Sequence, residues 1–182
     1  MVDAGALVLN YKARGVFIDS NLLVLLLVGL VNLDRIRNFK RTQNFTIEDF
    51  YLLQRLVRWF GAPLFSTPHV LSQVSDLTDL SDRERIALRG VFRVMVATID
   101  EQYDTAKELV RDPLFNRFGL ADASIAAVCK RKILVLTADL ALQIALVESG
   151  LDALNFNHVR ALGGLHSIAR ENTFLIRELL AS

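Results

Sequence analysis

The chain has a single cysteine, Cys129, among 182 residues. That excludes an intramolecular disulfide and any zinc site built from several thiolates, and the apolar neighbours of Cys129 predict a buried thiol. Long hydrophobic runs are also missing. The longest, residues 22–31, is half the roughly 20 residues that a bilayer-spanning helix needs. Asp19 and Asn21 close it on one side, and Asp34, Arg35 and Arg37 on the other, so a buried helix is expected. No basic N-terminal segment leads into an apolar stretch with a small-residue cleavage site, and the expectation is a cytoplasmic protein that makes no use of a membrane. An excess of one charge is absent too: 21 Lys and Arg stand against 20 Asp and Glu, a net +1. The chain is therefore no polybasic nucleic-acid binder, although an acidic pocket inside a basic rim stays compatible with that balance. Basic residues do gather at Arg35, Arg37, Lys40 and Arg41, at Arg83, Arg85, Arg89 and Arg93, and at Lys130, Arg131 and Lys132. Solvated helix faces and helix C-termini account for such groups equally well.

What is present is apolar, 52% of the chain, enough for the core of one α/β domain over residues 1–182. No repeat, low-complexity tract or linker divides it. Short β-branched and apolar runs predict strands at 16–18, 64–66, 96–100, 133–136 and 153–156. Between them helical periodicity or capping signals predict helices. One runs from Ser20 to about residue 39. The next opens at Thr46, whose spacing to Asp49 resembles a capping box. A third starts at Thr67-Pro68. Others cover the stretch to about 96, residues 103–110, the stretch from about Asp122 to 130, and the stretch from Asp139 to 149. The last is a C-terminal helix at about 164–181. Residues 113–119 are expected to be loop, and Glu101 with Asp104 a solvated helix start. Alternating strands and helices imply a parallel sheet covered on both faces.

Two strands end in carboxylates, Asp19 after 16–18 and Asp139 beyond 133–136. Asp122 opens the helix that leads into the second of them. The carboxyl ends of parallel strands share one edge, the usual ligand edge of such sheets, so these distant acids converge. Packed like charges raise one another's pKa unless a cation lies between them. For all-oxygen ligands that cation is Mg²⁺ or Mn²⁺, which activates water and steadies a phosphodiester under attack. Each acid alone is better read as a helix cap, and the metal reading rests on all three together.

The segments GVFIDSNLL (residues 15–23), TPHVLSQV (67–74), GLADASIAA (119–127) and LVLTAD (134–139) resemble, in order, the signatures of the PIN domain family. The resemblance runs over about residues 15–156. It implies a three-layer α/β/α sandwich with a central parallel sheet, and Mg²⁺- or Mn²⁺-dependent cleavage of RNA. The activity would be that of an endoribonuclease, toxin-like or RNA-processing. Asp19, Asp122 and Asp139 match the family's metal-binding and catalytic acids; Asn21 and Thr137 match polar positions that support the site. RNA, an antitoxin-type protein or a second copy of the chain are the partners it implies.

The second motif departs from the family, with Gln73 where Glu is usual. An amide lends a carbonyl oxygen to a metal, but it removes a negative charge and cannot act as a base. Asp76, three residues on, is near the same helix face and is a candidate substitute, but a helix C-terminal surface residue is the favoured reading. His69, in the first turn of that helix, is expected to face solvent or a carbonyl. Gln73 also supports a second expectation, a catalytically weakened PIN-like domain that binds RNA or a protein. Other carboxyl-edge Mg²⁺ folds fit less well. A haloacid-dehalogenase-like phosphatase wants Asp-x-Asp where this chain has Asp19-Ser20-Asn21, and a receiver domain wants a Lys that does not follow residues 133–136.

Overall fold

The computed structural model describes residues 4–78 and 82–161. The expected C-terminal helix at about 164–181, and most of the expected turn at 79–82, lie outside them. In chain order the elements are α1 (Ala4–Asn10), β1 (Val16–Ile18), α2 (Ser20–Val31), α3 (Arg35–Asn38), α4 (Ile47–Phe60), β2 (Leu64–Ser66), α5 (Pro68–Leu77) and α6 (Asp82–Val96). They continue with β3 (Ile99–Glu101), α7 (Ala106–Leu109), α8 (Phe115–Phe118), α9 (Leu120–Cys129), β4 (Val135–Thr137), α10 (Leu140–Glu148), β5 (Ala153–Asn155) and α11 (Phe156–Ala161). The strands form one wholly parallel sheet in the order β3-β2-β1-β4-β5.

Every residue of β1, β4 and β5 is buried. Successive strand side chains point to opposite faces, so helices must cover both, as the α/β/α expectation holds. Right-handed crossovers assign the helices after β1 and β2 to one face and those after β3 and β4 to the other. Accordingly α2 packs on α4, α5 and α6, while α9 packs on α7, α8 and α10; α5 and α9 also touch one another.

Helix α2 is the apolar run of the sequence, and residues Leu22 to Val28 are buried on all its sides. It is core, and this face is not available to a second copy. The helix is shorter than expected. Asn32 leaves helical geometry and its Oδ1 accepts from the Asp34 amide at 3.1 Å, an Asx turn that splits the expected helix into α2 and α3. Gly29 lets α4 approach: a Cβ there falls inside van der Waals contact of the Phe50 ring. Gly29→Ala is expected to lower stability by about 1–3 kcal/mol through overpacking, read by urea denaturation; an unchanged midpoint would show that Phe50 swings aside freely.

Thr46 and Asp49 do form the capping box at the start of α4, and Thr67 caps α5 with Pro68 at its first turn. Gly15, at φ +79°, faces the Pro63 carbonyl so closely that no side chain fits. Three edges differ from expectation. Strand β3 begins later, at Ile99, because α6 runs through Val96 and Thr98 Oγ1 donates to the Met95 carbonyl at 2.8 Å, closing a turn. Strand β4 is shifted toward Thr137 by its pairing with β5, Thr137 opposite Asn155. Phe156 opens α11 instead of ending a strand.

Glu101 lies in β3, and Asp104 pairs with Arg131 at 2.7 Å, so neither starts a helix. The helix expected at 103–110 is one turn, opened by a capping box of Thr105 with Glu108, and residues 115–118 of the expected loop are helical. Cys129 is buried, its Sγ set 3.3 Å from the Asp152 carbonyl oxygen. Burial first, then the Asp152 charge, pushes its thiol up to about 12, so it stays protonated and inert. Arg35 pairs with Glu84 and Lys130 with Asp112, each at 2.6 Å. Among the described residues, no helix is long and apolar enough to cross a membrane.

Candidate metal centre

The chain leaves β1 toward β2 and leaves β4 toward β5, in opposite directions across the sheet. The switch point therefore lies between β1 and β4, and in open α/β sheets the crevice outside the carboxyl ends at that point receives ligands. Asp19 follows β1 directly. Thr137 ends β4, with Ala138 and Asp139 next.

Asp19 is buried and caps α2: its Oδ1 accepts from the Leu22 amide at 3.0 Å. Its Oδ2 accepts from the Ala138 amide at 2.9 Å and from the Thr137 hydroxyl. Thr137 Oγ1 in turn accepts from the Asp139 amide at 2.9 Å. Asp139 caps α10 through Oδ1, which accepts from the Leu142 amide at 3.0 Å. Two helix N-termini, each favourable to negative charge, thus meet at one crevice, and Thr137 joins their caps.

Asp122 enters from a third segment. It lies in the first turn of α9, half-buried, and its carboxylate makes no hydrogen bond among the described residues. Gly119, not Asp122, precedes the helix. Burial first, then the charges of Asp139 and Asp19, raise the Asp122 carboxyl to about 6. Burial also raises Asp19, against the lowering hydrogen bonds from Thr137, Leu22 and Ala138, and the Asp139 charge adds to the rise. The three acids therefore act electrostatically on one another across 120 residues of chain.

Among the described residues, no group of three His, Cys, Asp or Glu side chains stands arranged to hold a metal ion. Asp19 and Asp139 are turned into their helix caps. The donor chemistry nevertheless fits a hard divalent ion. It is all oxygen, Asp122 is partly desolvated without a partner, and Oδ2 of Asp139 accepts no hydrogen bond among the described residues.

The supporting positions divide. Thr137 is integral to the crevice. Asn21 sits exposed in the first turn of α2 and makes no hydrogen bond among the described residues. Gln73 is exposed on α5, also without one. Asp76 stands nine residues beyond the Thr67 cap, about 13 Å along the helix at 1.5 Å per residue. There it lines a cavity of about 270 Å³ with Ser75, Thr78, Arg85 and Arg89 between α5 and α6. That is a helix C-terminal setting, apart from the acids. His69 is half-buried, and its Nδ1 has no partner among the described residues.

Sequence reading missed a polar set beside the acids. Asn155 lies next to Thr137 in the ladder, and its Oδ1 accepts from the Asn157 amide at 2.8 Å. Asn157 Nδ2 donates to the Ala138 carbonyl at 2.9 Å. Ser124 and Thr67 share a buried hydroxyl–hydroxyl hydrogen bond at 2.8 Å, tying α9 to the start of α5. The pattern Asn155-Phe156-Asn157 at a strand end was the available signal for the first pair.

Comparison of the chain with family models, with curated proteins and with solved structures returns no match.

Proposed function

We propose that this chain is a PIN-like, divalent-metal-dependent ribonuclease that hydrolyses RNA phosphodiester bonds. The observation that carries the reading is the hydrogen-bonded union of Asp19, Thr137 and the start of α10 at the switch point of a parallel sheet. Burial first, then the charges of Asp139 and Asp19, raise the Asp122 carboxyl of a third segment to about 6. In this reading Asp19, Asp122 and Asp139 hold Mg²⁺ or Mn²⁺. Bound there, the ion supplies charge neutralisation and Lewis-acid activation of water at the phosphodiester. Thr137 fixes the Asp19 carboxylate and, through the Asp139 amide, the start of α10. The two helix N-termini lend their amides to both carboxylates, Leu22 to Asp19 and Leu142 to Asp139. A cytoplasmic setting, and a toxin-like role with an antitoxin-type partner or an RNA-processing role, belong to the same proposal.

The test is cleavage of a mixed-sequence single-stranded RNA by purified protein with Mg²⁺, with Mn²⁺ and with EDTA. Metal-dependent cleavage that Asp139→Asn removes supports the reading; cleavage that survives EDTA or that substitution sinks it. A second reading, an RNA- or protein-binding domain without cleavage, is favoured by one observation: Asp19 and Asp139 already serve as helix caps. RNA binding without cleavage in either metal would select it.

Gln73 gives a graded check. If α5 directs position 73 to the crevice when metal binds, Gln73→Glu adds a fourth negative charge. Mn²⁺ should then bind tighter by about 1–3 kcal/mol, the difference between a charged and a neutral partner, and cleavage should rise with it. Calorimetric titration reads this directly. Unchanged affinity excludes Gln73 from the site, and Asp76→Asn, in its separate cavity, should leave affinity as in the wild type.

A further inference from the structure

Arg160, in α11, lies outside all four motifs, yet each of its three guanidinium nitrogens has a partner. Its Nε pairs with Asp49 Oδ1 at 2.8 Å, its Nη1 donates to Asn157 Oδ1 at 3.0 Å, and its Nη2 donates to the Asn44 carbonyl at 3.3 Å. The Phe45 ring lies 5.5 Å beneath it. Asp49 is itself fixed, because its Oδ2 accepts from the Thr46 amide at 2.8 Å in the capping box of α4. A guanidinium has donors only. It therefore forces the Asn157 side-chain oxygen to face it and turns the Asn157 NH₂ toward the Ala138 carbonyl.

Ala138 is the one residue between Thr137 in the ladder and Asp139 at the start of α10. Its C=O is held by Asn157, and its N–H is given to Asp19 Oδ2. With both groups tied, the connection that carries Asp139 has one arrangement, and the Ala138 amide is delivered to Asp19.

We infer that Arg160 and Asn157 are positioning residues of the acidic crevice. They act by orienting the Ala138 peptide groups, and through them Asp19 and Asp139, from an anchor at the start of α4. Their effect on metal binding rests on the reading of the crevice as a metal centre; their hold on Ala138 does not.

Two substitutions in the 182-residue chain separate these levels. Asn157→Leu keeps side-chain bulk and removes the amide. Arg160→Lys keeps the charge facing Asp49 and loses the fork that reaches Asn157. Amide hydrogen exchange is followed by NMR in the metal-free proteins, at a temperature where the near-ultraviolet spectrum shows each folded, and Mn²⁺ affinity is read by calorimetry. In both variants the Ala138 and Asp139 amides are expected to exchange about tenfold faster relative to the Phe17 amide, the signature of local opening. Mn²⁺ affinity should fall about tenfold, as for other residues that orient metal ligands. A uniform rise in exchange at Ala138, Asp139 and Phe17, with Mn²⁺ affinity unchanged, overturns the inference and leaves Arg160 a structural brace. Should Asn157→Leu fail to fold, Arg160→Lys gives both readouts. If the wild type itself takes up no Mn²⁺, the metal reading fails, and the exchange pattern still decides the positioning role.

Discussion

Asp19→Asn and Asp122→Asn are expected to move the stability of the metal-free protein in opposite directions while both weaken its response to Mn²⁺. The sign follows from their surroundings. Asp19 is buried, and three donors point at its carboxylate: the Leu22 and Ala138 amides and the Thr137 hydroxyl. An asparagine there offers one acceptor oxygen and one NH₂. Whichever way the amide turns, the NH₂ meets a donor. Thr137 can turn its hydroxyl and accept, since its oxygen has a second lone pair, but the Leu22 and Ala138 amides cannot. Leaving a buried donor unpaired costs about 1–3 kcal/mol, offset in part by removal of a buried charge, so Asp19→Asn should lose about 2 kcal/mol in urea denaturation at pH 7.5. Asp122 has no donor to lose. Stabilisation by Asp19→Asn, or an Mn²⁺-induced rise in melting temperature equal to that of the wild type, would show that Asp19 does not occupy the crevice as a carboxylate.

The second expected result is a pH-dependent gain from Asp122→Asn. The Asp122 carboxyl is raised from 3.8 to about 6 in the folded state. Between those values the folded protein holds a proton that the unfolded chain has released, so stability falls as pH rises through this window and levels off above it. Below about pH 4 the side chain is neutral in both states and the substitution should change little. Above about pH 6.5 it should stabilise by about 1 kcal/mol, a figure reduced for the solvent that reaches this half-buried group and screens it. Denaturation midpoints at pH 3.5, 5 and 8 read the effect. A gain of equal size at all three would trace it to something other than ionisation. Metal should reverse the order: at an Mn²⁺ concentration about a hundredfold over the dissociation constant, the wild type gains about 2.7 kcal/mol by mass action and Asp122→Asn gains much less.

The amino-acid sequence by itself determined the strand segments and most of the helix starts, because these depend on near neighbours. The apolar run at 16–18 ends at Asp19, Thr46 and Asp49 form their box within one turn, and Thr67-Pro68 opens α5 whatever packs around it. It also determined that the run is buried over residues 22–29, since a helix apolar on every side has no face for water. The acids at strand ends were legible for the same reason: in a parallel sheet, position along a strand fixes the edge on which a residue lies.

Only the tertiary structure decided what those acids meet. That Asp19 takes the Ala138 amide and the Thr137 hydroxyl depends on β1 and β4 being neighbours, a pairing of residues 118 apart. That Asp76 stands with Arg85 and Arg89 depends on the packing of α6 against α5. The Asp49–Arg160–Asn157–Ala138 chain joins three segments, and no local pattern marks it. The exact limits of β3 and β4 were also set from outside, by a hydroxyl that closes a turn at Met95 and by the ladder that pairs Thr137 with Asn155. Such contacts are made between side chains far apart in the chain, and a sequence carries them only through the fold that brings them together.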